Sequence, residues 1–351
     1  MHPKISVCIP AYNRANVLPE LLESILTQDY GDYEIVINED GSPERFAISH
    51  VVERYSALYP NRIRYFENEH NLGYDANLRS LIERARGEYC LFMGNDDLMC
   101  PGALKIVADV ISRHPRIGVF LRSYAAFDDT PSNIVQTFRY FDREIFFPAG
   151  ENAIGTLYRR SVVIPGVTLN REAALQYATD LFDGTLLYQI YLVANILVEW
   201  NGVFSPEIVT WYRNGGTPDF GNSPSEQGKF VPRTRTTESS VHFMRGMLKI
   251  ARHVQNTRHV KIYRSILKDI SNYSYPILAV QAEKPFREFF GYYIELIKLG
   301  FGRYWLFHAY FFSILLLGTK RLEGIITWIK RRLGHTPVLG SVYTGVKNRN
   351  S

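Results

Sequence analysis

Short β-rich runs alternate with segments of helical period through the first 115 residues, and this alternation limits the fold more than any other feature of the chain. Residues 5–10, 33–38, 62–66 and 89–93 are rich in β-branched and aromatic residues and read as strands. Between the first two, residues 16–27 place Val17, Leu18, Leu21, Leu22, Ile25 and Leu26 on one helical face. Residues 44–58 and 71–86 read as the next helices, and a further helix opens near residue 101. Strands and helices at this spacing predict an α/β fold with a mixed, mostly parallel sheet flanked by helices. In such sheets ligands collect at the carboxyl ends of the strands. The polar clusters Pro10-Ala11-Tyr12-Asn13-Arg14, Glu39-Asp40, Asn71-Leu72-Gly73 and Asn95-Asp96-Asp97 all fall at such ends.

The pattern loosens after residue 115. Residues 117–123, 134–147 and 161–169 read as strands, 171–176 as a short helix, 186–200 as a strongly apolar helix and 208–213 as a strand. Residues 214–229 are rich in Gly, Pro and Ser and form a candidate lid. We expect residues 1–228 to form the catalytic domain, with 1–115 as a nucleotide half and 116–228 as an acceptor half. Residues 229–351 then form a separate helical region.

Charge divides the chain at the same place. Residues 1–228 hold 19 Lys and Arg against 29 Asp and Glu, whereas residues 229–351 hold 21 against 6. A basic tail on an acidic body suits an anionic partner. Residues 304–318 are the most apolar stretch, yet shorter than the ~20 apolar residues of a simple membrane span. Just beyond, Leu322, Ile325, Ile326, Ile329 and Leu333 share one helical face, and Lys320, Arg321, Lys330, Arg331 and Arg332 crowd its ends. This is the make-up of a helix lying in a membrane interface, or of a buried helix with a basic outer face. Long apolar runs beside the charges argue against nucleic acid as the partner. Cys8, Cys90 and Cys100 sit mostly in apolar runs and read as reduced core residues of a cytosolic protein. Met1-His2-Pro3-Lys4 leads directly into the first strand, so no secretory leader is expected.

Paired carboxylates after a core strand, as in Phe92-Met93-Gly94-Asn95-Asp96-Asp97, are costly unless a cation sits there. A divalent metal carrying a diphosphate satisfies that need, and so does a solvated turn capping the following helix.

Four motifs in order, Ile5 to Arg14, Glu39-Asp40-Gly41-Ser42, Asn71-Leu72-Gly73 with Asn77, and Gly94-Asn95-Asp96-Asp97, resemble the family 2 glycosyltransferases of GT-A fold over about residues 4–215. Residues 39–45 and 188–192 are most similar to the abequosyltransferase-type enzymes of O-antigen assembly. The resemblance implies transfer of a sugar from a nucleotide-diphosphosugar, such as a CDP-dideoxyhexose, to a lipid-linked oligosaccharide. The expected place is the cytoplasmic face of the inner membrane. It implies that Tyr12 packs on the base with Pro10 and Ala11 beside it, and that Asp40 reads base or ribose. Asn71, Asn77, Asn95 and Asp96 then border the nucleotide, Arg14 lies in the same donor-binding motif, and Asp97 binds Mg2+ or Mn2+. Local chemistry also allows Asp40 to be a turn residue, and Asn71 and Asn77 to cap loops. Gly94 stands where the family more often has an acid, which leaves the metal few protein ligands. The family's acceptor-side base falls on Asp183, with Asp180 second; Asp183 also sits where a helix cap belongs. Arg213 is a candidate phosphate clamp or an ordinary exposed arginine. A nucleotidyltransferase of related fold would carry a Gly-rich phosphate loop after the first strand, which residues 10–13 do not provide. A catalytically inactive nucleotide-sugar-binding protein is the other rival.

Overall fold

The computed structural model describes residues 3–216 and 218–332. The strands are β1 Ile5–Ala11, β2 Tyr33–Glu39, β3 Ile63–Glu67, β4 Tyr89–Phe92, β5 Leu98–Met99, β6 Ile117–Phe127, β7 Ile134–Phe138, β8 Ile145–Phe147, β9 Thr168–Asn170 and β10 Asn201–Arg213. They join one sheet in the order β3-β2-β1-β4-β9-β6-β10-β5, with β7 on β6 and β8 on β10. The first four strands are parallel, as the βα alternation predicts. Beyond β4 the sheet is mixed: β10 runs parallel to β6, from Asn201 beside Ile117 to Arg213 beside Phe127. Strand β9 runs antiparallel to both β4 and β6, and β5, β7 and β8 add antiparallel edges. The parallel pair β6–β10 has helices in the chain between its strands, as a parallel crossover needs, whereas antiparallel strands need none.

The early helices follow their apolar faces. In Leu18–Leu26, Leu18, Leu21, Leu22, Ile25 and Leu26 are all buried, and proline opens the helix. The strand expected over 161–169 is mostly absent: only Thr168–Asn170 pairs, and the preceding residues form a turn and an extended wall. The single strand expected over 134–147 divides into β7 and β8 around residues 139–144.

Because β1 leads to β2 and β3 on one side while β4 lies on its other side, the chain reverses direction between β1 and β4. This is the switch point at which an open parallel sheet leaves a crevice beyond its strand ends. Residues 12–14 and 94–97 line its two lips.

After β10 the chain is helical: Thr237–Arg258, Tyr263–Asn272, Tyr275–Gln281, Phe286–Lys298 and Trp305–Arg332. These helices do not stand apart. One buried apolar cluster includes Cys8, Phe92, Leu192, Met247, Tyr275 and Phe311, so it runs from the sheet into the last helix. The last helix breaks at Gly318, whose φ is 75°. No helix among the described residues is long and apolar enough to cross a membrane. Trp305, Phe312, Leu316 and Trp328 are exposed on it. Leu333 and the side chains of Ile329, Lys330, Arg331 and Arg332 lie outside the described part.

Candidate active site

A cavity of about 320 Å3 opens over the strand ends. Asp40 and Asp97, from different strand termini, line it together, with Pro10, Tyr12 and Arg14 from the end of β1. Asn71, Asn77, Asn95, Asp96 and Arg213 complete the expected set. Ala11 is wholly buried in β1 beneath them and is not part of the wall.

Each side chain is fixed by a local device. Asn13 and Arg14 both have left-handed backbone (φ 54° and 66°). Asn95 holds that turn by donating its side-chain amide to the carbonyls of Tyr12 (3.3 Å) and Asn13 (2.9 Å). The turn brings the Arg14 guanidinium to 2.6 Å from Asp96 Oδ2. Asp40 is buried and accepts from Leu72 N–H (2.9 Å), Gly73 N–H (3.0 Å) and the Asn68 amide (2.7 Å). Burial raises its carboxyl above the ordinary range, and these three donors hold it back. Asn77 accepts from Asn38 at 2.6 Å, so its amide is tied into the sheet end beneath the cavity.

Asp97 is 2% exposed, and its Oδ1 accepts the Arg213 backbone N–H at 2.9 Å. Burial, then the neighbouring Asp96 charge, pushes its carboxyl well above the usual value. A cation beside it relieves both effects. Arg213 lines the cavity, but its guanidinium is engaged: Nε donates to the Asp96 carbonyl (2.8 Å) and Nη2 pairs with Glu20 (2.7 Å). It braces the Asp96-Asp97 turn, and the phosphate clamp expected of it has no free fork to offer.

The acceptor-side candidates lie apart from the cavity. Asp183 lies outside the cavity wall, with both carboxylate oxygens 2.8 Å from Arg79 in a bidentate pair. Asp180 is exposed and also outside the wall. The helix expected from residue 186 begins at Tyr188, and the residues that reach the cavity from its start are Leu186 and Gln189.

Sequence reading missed the carboxylates of the lid. Asp219 and Glu226 both line the cavity. Glu226 is buried and accepts from Tyr74 N–H and Gly221 N–H, each at 2.8 Å. Asp219 accepts from Asn13 (3.2 Å) and Arg233 (3.0 Å), tying lid to β1 turn. The Gly, Pro and Ser content marked residues 214–229 as a lid, but nothing local to it marks these two acids as inward-facing. Two glycines let the lid close. Gly73 (φ 92°) leaves no room for a Cβ beside Ser223, and Gly184 (φ 79°) leaves none beside the Ser225 carbonyl.

Among the described residues, no three His, Cys, Asp or Glu side chains form a metal cluster. The donor set still fits a divalent cation of one kind. Asp96 is neutralised by Arg14, and Asp97 offers Oδ2 in an anionic, buried setting. A hard cation here takes one protein carboxylate and fills its shell from diphosphate and water. The departure at Gly94 has a steric reason, since a Cβ there collides with Asp97 Oδ2.

Acids, a tyrosine and a candidate lid thus gather at the switch point of the sheet. Residues 6–177 match Glycosyl transferase family 2, and over that segment the chain is a member of the family. It is 36% identical over 105 residues to the abequosyltransferase RfbV of Salmonella typhimurium, covering 29% of this chain and 31% of that one. It is 34% identical over 103 residues to the GalNAc(5)-diNAcBac-PP-undecaprenol beta-1,3-glucosyltransferase of Campylobacter jejuni, covering 29% and 32%. In fold it is similar to residues 1–349 of S. aureus TarS solved with UDP-GlcNAc, with a TM-score of 0.58 and 17% identity over 84% of this chain and 79% of that one. The matched segments span 29% to 45% of the length of the first curated relatives.

Proposed function

We propose that the cavity binds a nucleotide-diphosphosugar with Mg2+ or Mn2+ and that the enzyme transfers the sugar to a hydroxyl of a lipid-linked oligosaccharide, in O-antigen or other surface polysaccharide assembly. The observation that carries this reading is that Asp40 and Asp97 share one cavity with Tyr12. Tyr12 is half-buried at the end of β1 and offers a ring face to a nucleobase. Asp40, already fixed by three donors, keeps lone pairs for a base N–H or a ribose hydroxyl. Asp96, steadied by Arg14, would border the ribose, and Asp97 would hold the metal. When bound, the metal stabilises negative charge on the departing diphosphate. The acceptor hydroxyl's oxygen bonds to the anomeric carbon as the bond to the diphosphate breaks; nucleoside diphosphate leaves with that bond's electron pair, and the hydroxyl's proton passes to water. A CDP-dideoxyhexose is the donor favoured by similarity to RfbV, and a polyprenyl-linked acceptor is favoured by similarity to the Campylobacter enzyme.

Exposed Trp305, Phe312, Leu316 and Trp328, with Lys320 and Arg321 on the same helix, support seating on an anionic membrane surface at the cytoplasmic face. A peripheral position also brings the cavity to a lipid-borne acceptor.

The test is titration of a panel of nucleoside diphosphates with and without Mn2+, followed by turnover of the matching nucleotide-sugars. Metal-dependent binding that Asp97→Ala abolishes, with release of nucleoside diphosphate, supports the assignment. Release of pyrophosphate points to nucleotidyl transfer, and equal titration heats for Asp97→Ala overturn the metal site. Flotation on anionic vesicles against a nucleic-acid shift assay at matched salt tests the surface.

A further inference from the structure

Val162, Val163, Ile164 and Pro165 lie between the short helical turn Arg159–Ser161 and β9, and all four line the cavity. Val162 and Val163 are half-buried, Ile164 and Pro165 buried. Two bonds fix the place of this segment. The Gly166 N–H donates to the Phe92 carbonyl at 2.7 Å, which sets the segment beside the end of β4, just before Gly94-Asn95-Asp96-Asp97. The Pro165 carbonyl accepts the Thr210 hydroxyl at 3.1 Å, on the same strand, β10, whose Arg213 N–H binds Asp97.

The sheet order puts β2 and β1, with Asp40 and Tyr12 at their ends, on one side of β4, and β9 on the other. A donor with its base at Tyr12 and its diphosphate at Asp97 therefore carries its sugar toward residues 162–165.

A sugar hydroxyl needs an acceptor for its proton, and loop carbonyls are the acceptors a cavity wall ordinarily offers. This wall has spent them. The Val162 carbonyl accepts from the Gln189 amide (2.8 Å), that of Val163 from the Arg122 guanidinium (2.9 Å), that of Ile164 from the Val167 N–H (2.8 Å) and that of Pro165 from Thr210. Gln189, Arg122 and Thr210 come from three different elements, and each is buried, so the carbonyls they hold point into the protein. The Gln189 Oε1 atom is itself buried and shows no surface to the cavity. Pro165 has no N–H, and the Val162 N–H donates to the Arg159 carbonyl at 3.4 Å. The N–H groups of Val163 and Ile164 are donors and leave the lack of an acceptor unchanged.

A hydroxyl set against this segment would bury its proton with nothing to receive it, whereas a C–H edge loses nothing there. Tyr212 and Arg235 also line the cavity, where a second cavity of about 360 Å3 adjoins it. The requirement therefore applies to one edge of the sugar and not to the whole ring.

We infer that residues 162–165 are the specificity element for the donor sugar, and that they select a sugar deoxygenated along the edge facing them. This rests on the first cavity being the donor site. It makes Val162 and Val163 specificity-determining residues.

The test uses the full chain with Mn2+ and no acceptor, so that only donor contacts are read. The probes are free nucleoside diphosphate, the glucose donor, and its 2-deoxy, 4-deoxy and 3,6-dideoxy counterparts, all on the base that binds best in the nucleotide panel. A deoxygenated donor should bind about ten- to a hundredfold tighter than the glucose donor, the scale on which an apolar wall rejects an added hydroxyl. Val162→Thr and Val163→Thr each put a hydroxyl on the segment at nearly unchanged shape, and at least one should cut that ratio about threefold or more. Damage to the fold or to the metal site weakens all donors together and leaves the ratio alone. Failure of every free nucleoside diphosphate to bind counts against the donor site itself. Intact nucleotide binding with the glucose donor held as tightly as every deoxygenated one, or with a ratio that neither threonine variant moves, overturns the inference.

Discussion

Asp75 accepts the backbone N–H of Leu186 at 2.9 Å, across a gap of 111 positions in the chain. The same carboxylate takes the N–H groups of Thr185, Leu187 and Tyr188 at 2.8 to 3.0 Å. One side chain from the helix Tyr74–Arg84 thus caps the helix Tyr188–Glu199 and fixes the left-handed backbone of Leu186 (φ 63°) where the two cavities adjoin. The helix Tyr74–Arg84 and the helix Tyr188–Glu199 are registered to each other through this carboxylate.

Replacing Asp75 with asparagine puts an amide N–H2 against two of those donors. The expected cost is about 2–4 kcal/mol in denaturant unfolding, because buried N–H groups lose their acceptor. The cost depends on pH with a definite sign. Burial, with the Asp183 charge, raises the Asp75 carboxyl to about 6, against the backbone donors Leu186, Tyr188 and Thr185 that lower it. Its folded value lies above the unfolded value of about 4. Below pH 4 its contribution is fully present; it declines as pH rises toward 6, where the unfolded chain has ionised first. The gap between natural chain and Asp75→Asn should therefore narrow from pH 4 to 6, and a gap that widens would show a depressed carboxyl instead.

Gly94 gives a second test. Family logic suggests that restoring an acid there strengthens metal binding. The geometry says the opposite, since any Cβ at 94 collides with Asp97 Oδ2 and displaces the one carboxylate oxygen available to a cation. Gly94→Asp should weaken Mn2+-dependent nucleotide binding, by about tenfold or more on the scale of disturbed metal ligation. Calorimetric titration against Mn2+ and nucleoside diphosphate reads this directly, and tighter binding would refute the packing argument.

Asp183 separates a structural role from a chemical one. Its carboxylate is held by both arms of Arg79, in a pair about one-fifth exposed, away from the cavity. Asp183→Asn should lower unfolding free energy by about 1–3 kcal/mol, the range for a charge-assisted bond. The turnover of the folded variant should stay within about tenfold of the natural enzyme. A loss of 100-fold or more, with stability kept, would restore Asp183 as the base.

These residues show what a sequence reveals and what it hides. The βα units were legible because each strand and helix signals within its own ten or so residues: Leu18 to Leu26 announce their face by period alone. The donor acids were legible because a parallel sheet sends every strand end to one rim, so Asp40 and Asp97 had to converge once the strands were placed. The acceptor side has no such rule. Strand β9 is three residues long and gains its partners from β4 and β6, far away in sequence. Whether Asp183 faces a cavity or Arg79 depends on a helix 100 positions earlier. Glu226 turns inward because Tyr74 and Gly221 supply N–H groups to it. Such facts are made by tertiary contacts, and local pattern carries no trace of them.

The division at residue 228, drawn from charge, is also open to experiment, and the packing argues that it is no folding boundary. The Tyr158 hydroxyl donates to the Met247 carbonyl at 2.7 Å, and Arg159 pairs with Asp269 at 2.6 Å. His242 is hydrogen-bonded to the Gly184 carbonyl at 3.1 Å. Helix Tyr188–Glu199 is buried over nearly its whole length, partly by the helix Thr237–Arg258. A chain ending at 228 would expose that apolar helix and leave Tyr158 and Arg159 without their partners. Each buried large side chain laid open forfeits about 1.5–3 kcal/mol, so a handful exhausts the 5–15 kcal/mol that holds a typical domain. We expect residues 1–228 alone to aggregate or to lack a cooperative thermal transition, while the full chain melts in one step. A soluble 1–228 fragment with a sharp transition and intact nucleotide binding would show that the helices are an appendage.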